Sequence, residues 1–108
     1  MDSFVETSGK VFSAELLNRQ VEIWRALGLR LVVTNGCFDL LHAGHIASLE
    51  AARSHGNVLI VGVNSDASVR ALKGPERPLN NQDDRARVIA ALACVSAVTV
   101  FDEITAEN

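Results

Sequence analysis

Thr34-Asn35-Gly36-Cys37-Phe38-Asp39-Leu40-Leu41-His42-Ala43-Gly44-His45 joins an apolar strand to a helix and sets two histidines, with a glycine between them, at the junction. A helix N-terminus exposes unpaired backbone N–H groups and carries a partial positive charge. An anion is therefore the natural ligand for imidazole donors placed there, and a nucleotide's phosphates are the reading adopted for this stretch. Gly44 would keep the surface between the two rings bare, so that a phosphate can approach the backbone closely.

On the N-terminal side of this stretch, Arg30-Leu-Val-Val-Thr34 reads as a buried strand. A helix is predicted before it, capped by Ser13, with Leu16, Leu17, Val21, Trp24 and Leu27 at helical spacing and Gly28 as its stop. Residues 1–12 read as a tail and residues 13–108 as one domain. On the C-terminal side, a helix is predicted from about Ala43 to His55, with Ile46, Leu49 and Ala52 on one side and Gly56 at its end. Asn57-Val-Leu-Ile-Val-Gly-Val63 is the near-continuous apolar run of a strand covered on both faces. A short helix over Asp66 to Leu72, a turn-rich loop from Lys73 to Asn80, a helix from Asn81 to Ala93 with Val88, Ile89 and Leu92 inward, and a strand from Ser96 to Phe101 follow. Helix and strand alternate, which predicts an α/β fold with a parallel sheet and crossover helices.

The composition is that of a globular chain. Of 108 residues, 48% are apolar and 21% charged, with a net charge of −3, which argues against nucleic acid as a partner. The first ten residues include Asp2 and Glu6 and lack the apolar centre of a secretory signal. No apolar stretch is long enough to span a bilayer, so the expected location is cytoplasmic with no membrane partner. Cys37 and Cys94 form neither a disulfide framework nor a zinc-ribbon spacing.

Open parallel sheets bind ligands beyond the carboxyl ends of their strands. Three loops are expected to gather there: Asn35 to His45, Asn64-Ser65-Asp66, and 73–80 with the start of the next helix. Five of the ten basic residues, Arg70, Lys73, Arg77, Arg85 and Arg87, fall in one stretch bordering that opening. Arg85 lies three, four and seven positions before Val88, Ile89 and Leu92, on their inward face. It either pairs with a carboxylate such as Asp66 or Asp39, or makes bidentate phosphate contacts. Arg87 is off the stripe and reads as a surface residue. His42 and His45 are weighed as phosphate donors against capping or packed rings, and His55 suits a helix C-terminus. Lys73 is either a surface lysine or, with Arg77, part of a mobile phosphate clamp.

The run Thr34 to His45 resembles the H-x-G-H signature of the cytidylyltransferase-like nucleotidyltransferases, the group that includes glycerol-3-phosphate cytidylyltransferase. Within it, Leu72-Lys-Gly-Pro-Glu-Arg-Pro-Leu-Asn80, Val63-Asn-Ser-Asp66 and Arg85 look most like the adenylyltransferase domain of ADP-heptose synthases. The resemblance runs from about Ser13 to Phe101. It implies a Rossmann-like parallel sheet, here expected to stop after the third strand, and transfer of AMP from ATP to a sugar 1-phosphate, with Mg²⁺ and release of pyrophosphate. CTP and glycerol phosphate are the alternative substrates. The resemblance casts His42, His45, Lys73 and Arg85 as the catalytic set. Asn35, Gly36, Cys37, Phe38, Asp39, Gly44, Asn64, Asp66 and Arg77 are the expected nucleotide contacts, with Cys37 and Phe38 approaching through their backbone and Asp39 ordering the loop.

In the family's sheet the first strand is central. A sheet ending after three strands leaves Leu31-Val-Val on an apolar edge and predicts a homo-oligomer. Two rivals stand beside the enzyme: a catalytically silent nucleotide-binding module, and a metal hydrolase with His42, His45 and Asp39 as ligands. A Cys37–His42 nucleophile pair lacks an orienting third group. Walker-type and G-x-G-x-x-G phosphate loops are absent.

Overall fold

A computed structural model describes residues 7–102. Seven elements follow a short 3-10 turn at Thr7–Lys10: α1 (Ala14–Ala26), β1 (Leu31–Gly36), α2 (Ala43–Arg53), β2 (Val58–Asn64), α3 (Asp66–Lys73), α4 (Gln82–Ala90) and β3 (Ala97–Phe101). The strands form one sheet in the order β1-β2-β3, and both pairings are parallel. This is the predicted α/β architecture.

Capping residues set where the helices begin. Ser13, Ser65 and Asn81 each accept a backbone N–H from the first turn of the helix that follows. Gly28, at φ +76°, ends the α1 segment in a conformation that side chains resist. Gly56 has a different reason to be glycine. A Cβ there would lie 2.8 Å from the Arg30 carbonyl oxygen and 2.8 Å from Val32 Cγ2, so the residue permits close approach to β1. The cap of α2 is Ser54, one residue before the predicted end.

β2 is buried along its whole length, as its apolar run predicts. One face of the sheet packs Leu59, Val61, Val63 and Val98 against Leu49 of α2 and Ala86, Ile89 and Ala90 of α4. The other packs Val58, Ile60 and Ala97 against Leu17, Val21 and Trp24 of α1.

Four expectations change. Leu16 and Leu27 are exposed, because the face of α1 that meets the sheet is the narrower i, i+4, i+7 stripe of Leu17, Val21 and Trp24. Val88 is also exposed, since the inward face of α4 is Arg85, Ala86, Ile89 and Ala90. Among the described residues β1 is an edge strand, as a sheet ending after three strands predicts, so the reading of it as buried fails, and Val33 is 67% exposed. Residues 7–12 are docked: Phe12 N–H donates to the Val98 carbonyl at 2.8 Å, Val11 bridges to Val98, and Lys10 Nζ donates to the Leu92 carbonyl at 3.3 Å. The rest of the predicted tail, residues 1–6, lies outside the described residues, as do 103–108.

Candidate functional site

The loop from β1 to α2 delivers the two histidines to the first turn of α2, where they cap it reciprocally. His42 Nδ1 accepts the Gly44 N–H at 3.0 Å, and His45 Nδ1 accepts the His42 N–H at 3.2 Å. Two of the helix's orphan donors are thereby satisfied. An acceptor Nδ1 places the proton of a neutral imidazole on Nε2. Each ring thus holds an N–H that meets no protein acceptor among the described residues. The ring centroids lie 4.0 Å apart, so both donors belong to one small site.

His45 is held below the ordinary imidazole value, first by burial and then by electrostatic repulsion of a further proton from the neighbouring His42 ring and the Lys73 ammonium. Its cap bond acts in the same direction, because a protonated Nδ1 would point a proton at the His42 N–H. The surface expected to be bare at Gly44 is covered instead. A Cβ there would meet His42 Cε1 at 2.8 Å and Nδ1 at 3.0 Å, so the space above Gly44 is filled by the imidazole itself.

Asp39 is the anchor of the 73–80 loop. Its buried carboxylate accepts the Leu79 and Asn80 N–H groups at 2.8 and 3.1 Å and pairs with Arg77 Nη1 at 2.9 Å, while Asn80 Nδ2 donates to its carbonyl at 2.9 Å. Burial is the largest influence on this carboxyl and raises its pKa, but Arg77 and the two amides together outweigh it and hold the group below its ordinary value.

Arg85 is 2% exposed. Its Nε donates to the Asn80 carbonyl at 2.9 Å, Nη1 to the carbonyls of Cys37 and Asn64 at 2.7 Å each, and Nη2 to Asp66 Oδ1 at 2.8 Å. Four of the five N–H donors of a guanidinium are thus taken by the protein. The bidentate phosphate role expected of Arg85 is corrected here: it staples three loops together, and the carboxylate reading with Asp66 is the one realised.

Lys73 ends α3, exposed, with no hydrogen bond or ion pair among the described residues. Arg77 spends one nitrogen on Asp39 and is otherwise half-exposed. The clamp loop is therefore tied at its Arg77 to Asn80 end, with Lys73 left free. Asn35 lies apart from this network. It lines a groove on the α1 side of the sheet, with Val33, Gly62, Thr99 and Phe101. Gly36 and Phe38 are packed together, the ring 3.1 Å from the point a Gly36 Cβ would occupy.

Two contributors escaped the sequence reading. Asn80 touches both Asp39 and Arg85, and Gln82 Oε1 accepts the Asp66 N–H at 2.9 Å. The tandem Asn80-Asn81 before a helix was a usable signal, since only one of the pair serves as the cap.

The metal-hydrolase reading fails on this geometry. Asp39 is committed to amides and Arg77, and among the described residues no group of three or more His, Cys, Asp or Glu is placed to hold a metal. No hydrogen bond joins the Cys37 thiol to His42 among the described residues, and both cysteines are free. No helix of the described residues is long and apolar enough to cross a membrane.

A family model described as cytidylyltransferase-like matches residues 33–108. The bifunctional protein HldE of Methylobacillus flagellatus is 57% identical over 96 residues, covering 89% of this chain and 20% of that protein. The HldE protein of Magnetococcus marinus is 52% identical over 104 residues, covering 96% of this chain and 21% of its own length. The chain thus spans about a fifth of the length of these curated relatives. Among solved structures, the lipopolysaccharide core biosynthesis protein of Thermoplasma volcanium superposes with a TM-score of 0.62 at 29% identity, over 68% of this chain and 59% of that one.

Proposed function

The chain belongs to the cytidylyltransferase-like family, and from that premise we propose that it transfers AMP from ATP to a sugar 1-phosphate, in the first place heptose 1-phosphate, releasing pyrophosphate. The single observation that carries this reading is the reciprocal histidine cap, which engages both Nδ1 atoms and leaves each ring, at the start of α2, an Nε2–H with no protein acceptor among the described residues. The similarity to HldE proteins supports the adenylyl and heptose choices.

In this reaction the sugar phosphate attacks the α-phosphorus in line and pyrophosphate leaves opposite. The attacking oxygen is already ionised, so no general base is needed, and the protein contributes position and charge. His42 and His45 donate to phosphate oxygens as negative charge accumulates, with the open helix end behind them. Lys73 supplies a mobile positive charge to the outer phosphates, and the exposed nitrogens of Arg77 can join it. Arg85 and Asp39 keep the loops bearing these groups in register. The nucleotide contacts of Gly36, Cys37, Phe38 and Gly44 belong to the same proposal; Asn64 and Asp66 act through the Arg85 staple, and Asn35, on the α1 side of the sheet, is left out of it.

Among the described residues no carboxylates are placed to form a cage for Mg²⁺, so the ion is assigned to the triphosphate, whose oxygens and waters are its usual ligands. A cytoplasmic setting, where nucleoside triphosphates are available, completes the proposal.

Pyrophosphate release measured across ATP and CTP, each with heptose 1-phosphate, glycerol 3-phosphate and a hexose 1-phosphate, tests it. Turnover confined to ATP with heptose 1-phosphate is the expected result. Turnover with CTP and glycerol 3-phosphate reassigns base and acceptor. Nucleotide binding without pyrophosphate release reduces the chain to a binding module.

A further inference from the structure

Phe38 is the one residue other than glycine with a left-handed backbone among the described residues, at φ +50°. Side chains resist that region, and a bulky residue there calls for a compensating reason. Its ring supplies one. The backbone turn carries the phenyl group back over Gly36, whose missing Cβ leaves it room: a Cβ would stand 3.1 Å from both Cε2 and Cζ. From there the ring meets the His45 imidazole in a T-shaped contact, with centroids 5.8 Å apart and planes at 68°. On its other side Phe38 packs against the core cluster that contains Leu49, Leu59 and Val63. A rigid core is thereby connected through one ring to one imidazole.

We propose that Phe38 is a positioning residue for His45, its left-handed backbone existing to press the phenyl ring against that imidazole and fix the direction of its Nε2–H. The inference deepens the nucleotidyl-transfer reading and rests on it for its catalytic consequence, though not for its structural one. The cap bond from the His42 N–H to His45 Nδ1 is long, at 3.2 Å, and one such bond leaves the ring free to tilt about it. A T-shaped aromatic neighbour removes that freedom. The same ring excludes water from His45, and burial is the largest influence keeping this imidazole neutral. The titratable and charged groups acting on His45 are the His42 imidazole, on the same helix turn, and Lys73, at the end of α3; both work in that direction too. Gly36 belongs to the arrangement because any side chain there would displace the phenyl ring.

The test compares Phe38→Asn, which tolerates the left-handed region, Phe38→Gly, which relaxes it fully, and Phe38→Tyr, which keeps an aromatic ring. The first readout needs no nucleotide: the nitrogen and Cε1 proton resonances of His45, followed through a pH titration by NMR. The expected result is that in both ringless variants the His45 titration moves up toward the ordinary imidazole value and the Nδ1 and Nε2 shifts converge, as a mixture of tautomers requires. In Phe38→Tyr the His45 titration and nitrogen shifts should stay close to those of wild type. The second readout is pyrophosphate release, where the ringless variants should lose about tenfold or more in kcat with a smaller change in KM, since the aimed donor acts on charge in the transition state. An unchanged His45 titration and unchanged nitrogen shifts in a folded Phe38→Gly protein overturn the proposal. If the His45 resonances respond as expected but the wild-type chain releases no pyrophosphate, the positioning role stands and the transfer reaction is what fails.

Discussion

Arg85 and the two histidines are placed where their spacing predicts, but the structure gives them opposite duties. The arginine sits on the inward face of α4 beside Ile89, as its spacing predicts, but burial consumes its donors on three carbonyls and Asp66. Removing a buried charge that satisfies several acceptors leaves all of them desolvated. Arg85→Met should therefore lower stability by about 3 kcal/mol or more in urea unfolding. Arg85→Lys should recover only part of this, because one ammonium cannot span three elements. The histidines behave oppositely. Each contributes a cap, so His42→Ala or His45→Ala should lower stability by only about 1 kcal/mol, yet reduce pyrophosphate release by roughly a hundred- to a thousandfold. A variant that keeps its fold and its rate would remove that histidine from the chemistry.

At the scale of elements, the 73–80 loop is a strap fastened at one end. Asp39→Asn puts an amide where Arg77 and two backbone N–H groups need an acceptor, so the strap should loosen. Trypsin cleavage after Lys73, followed by mass spectrometry under native conditions, should become faster than in wild type. The pH dependence has a definite sign. Asp39 has a folded pKa below its ordinary value, so its contribution is fully present at neutral pH and is lost as pH falls through the folded value, below about 3.9. The stability gap between wild type and Asp39→Asn should thus narrow only in acid. His45 has a depressed folded pKa as well, but as a base. Stability is complete above about pH 6.5 and falls as pH drops from there toward the folded value, because the unfolded chain binds the proton first. Urea midpoints across that interval should slope in wild type and flatten in His45→Gln.

For the whole molecule, the decisive feature is the unequal cover of a three-stranded sheet. Among the described residues β2 is sealed on both faces, whereas β1 offers an open edge with Val33 exposed and neither a charge nor a proline along Leu31–Gly36. Such an edge is a template for pairing with another chain. We expect the chain taken alone to self-associate with rising concentration, and Val33→Lys to shift sedimentation velocity toward the monomer while leaving the His45 resonances in place. Val33 lies on the α1 side of the sheet, away from the face packed on α2, so the two effects separate.

The sequence by itself determined the order of helices and strands, the cap at Ser13, the helix start at Asn81, and the meeting of His42 and His45 at a helix start. These depend on local periodicity and on residues within a few positions of one another. It also offered Asp66 or Asp39 as a partner for Arg85, and the family resemblance implied that Asp39 orders its loop. Only the tertiary structure decided that Arg85 is spent on Cys37, Asn64 and Asn80, that Asp39 gathers the amides of residues 79 and 80, and that Phe38 turns left-handed to reach His45. Those contacts join positions up to 48 residues apart and run largely through backbone carbonyls and amides. Every residue carries these groups, so no letter in the sequence marks which of them will be used.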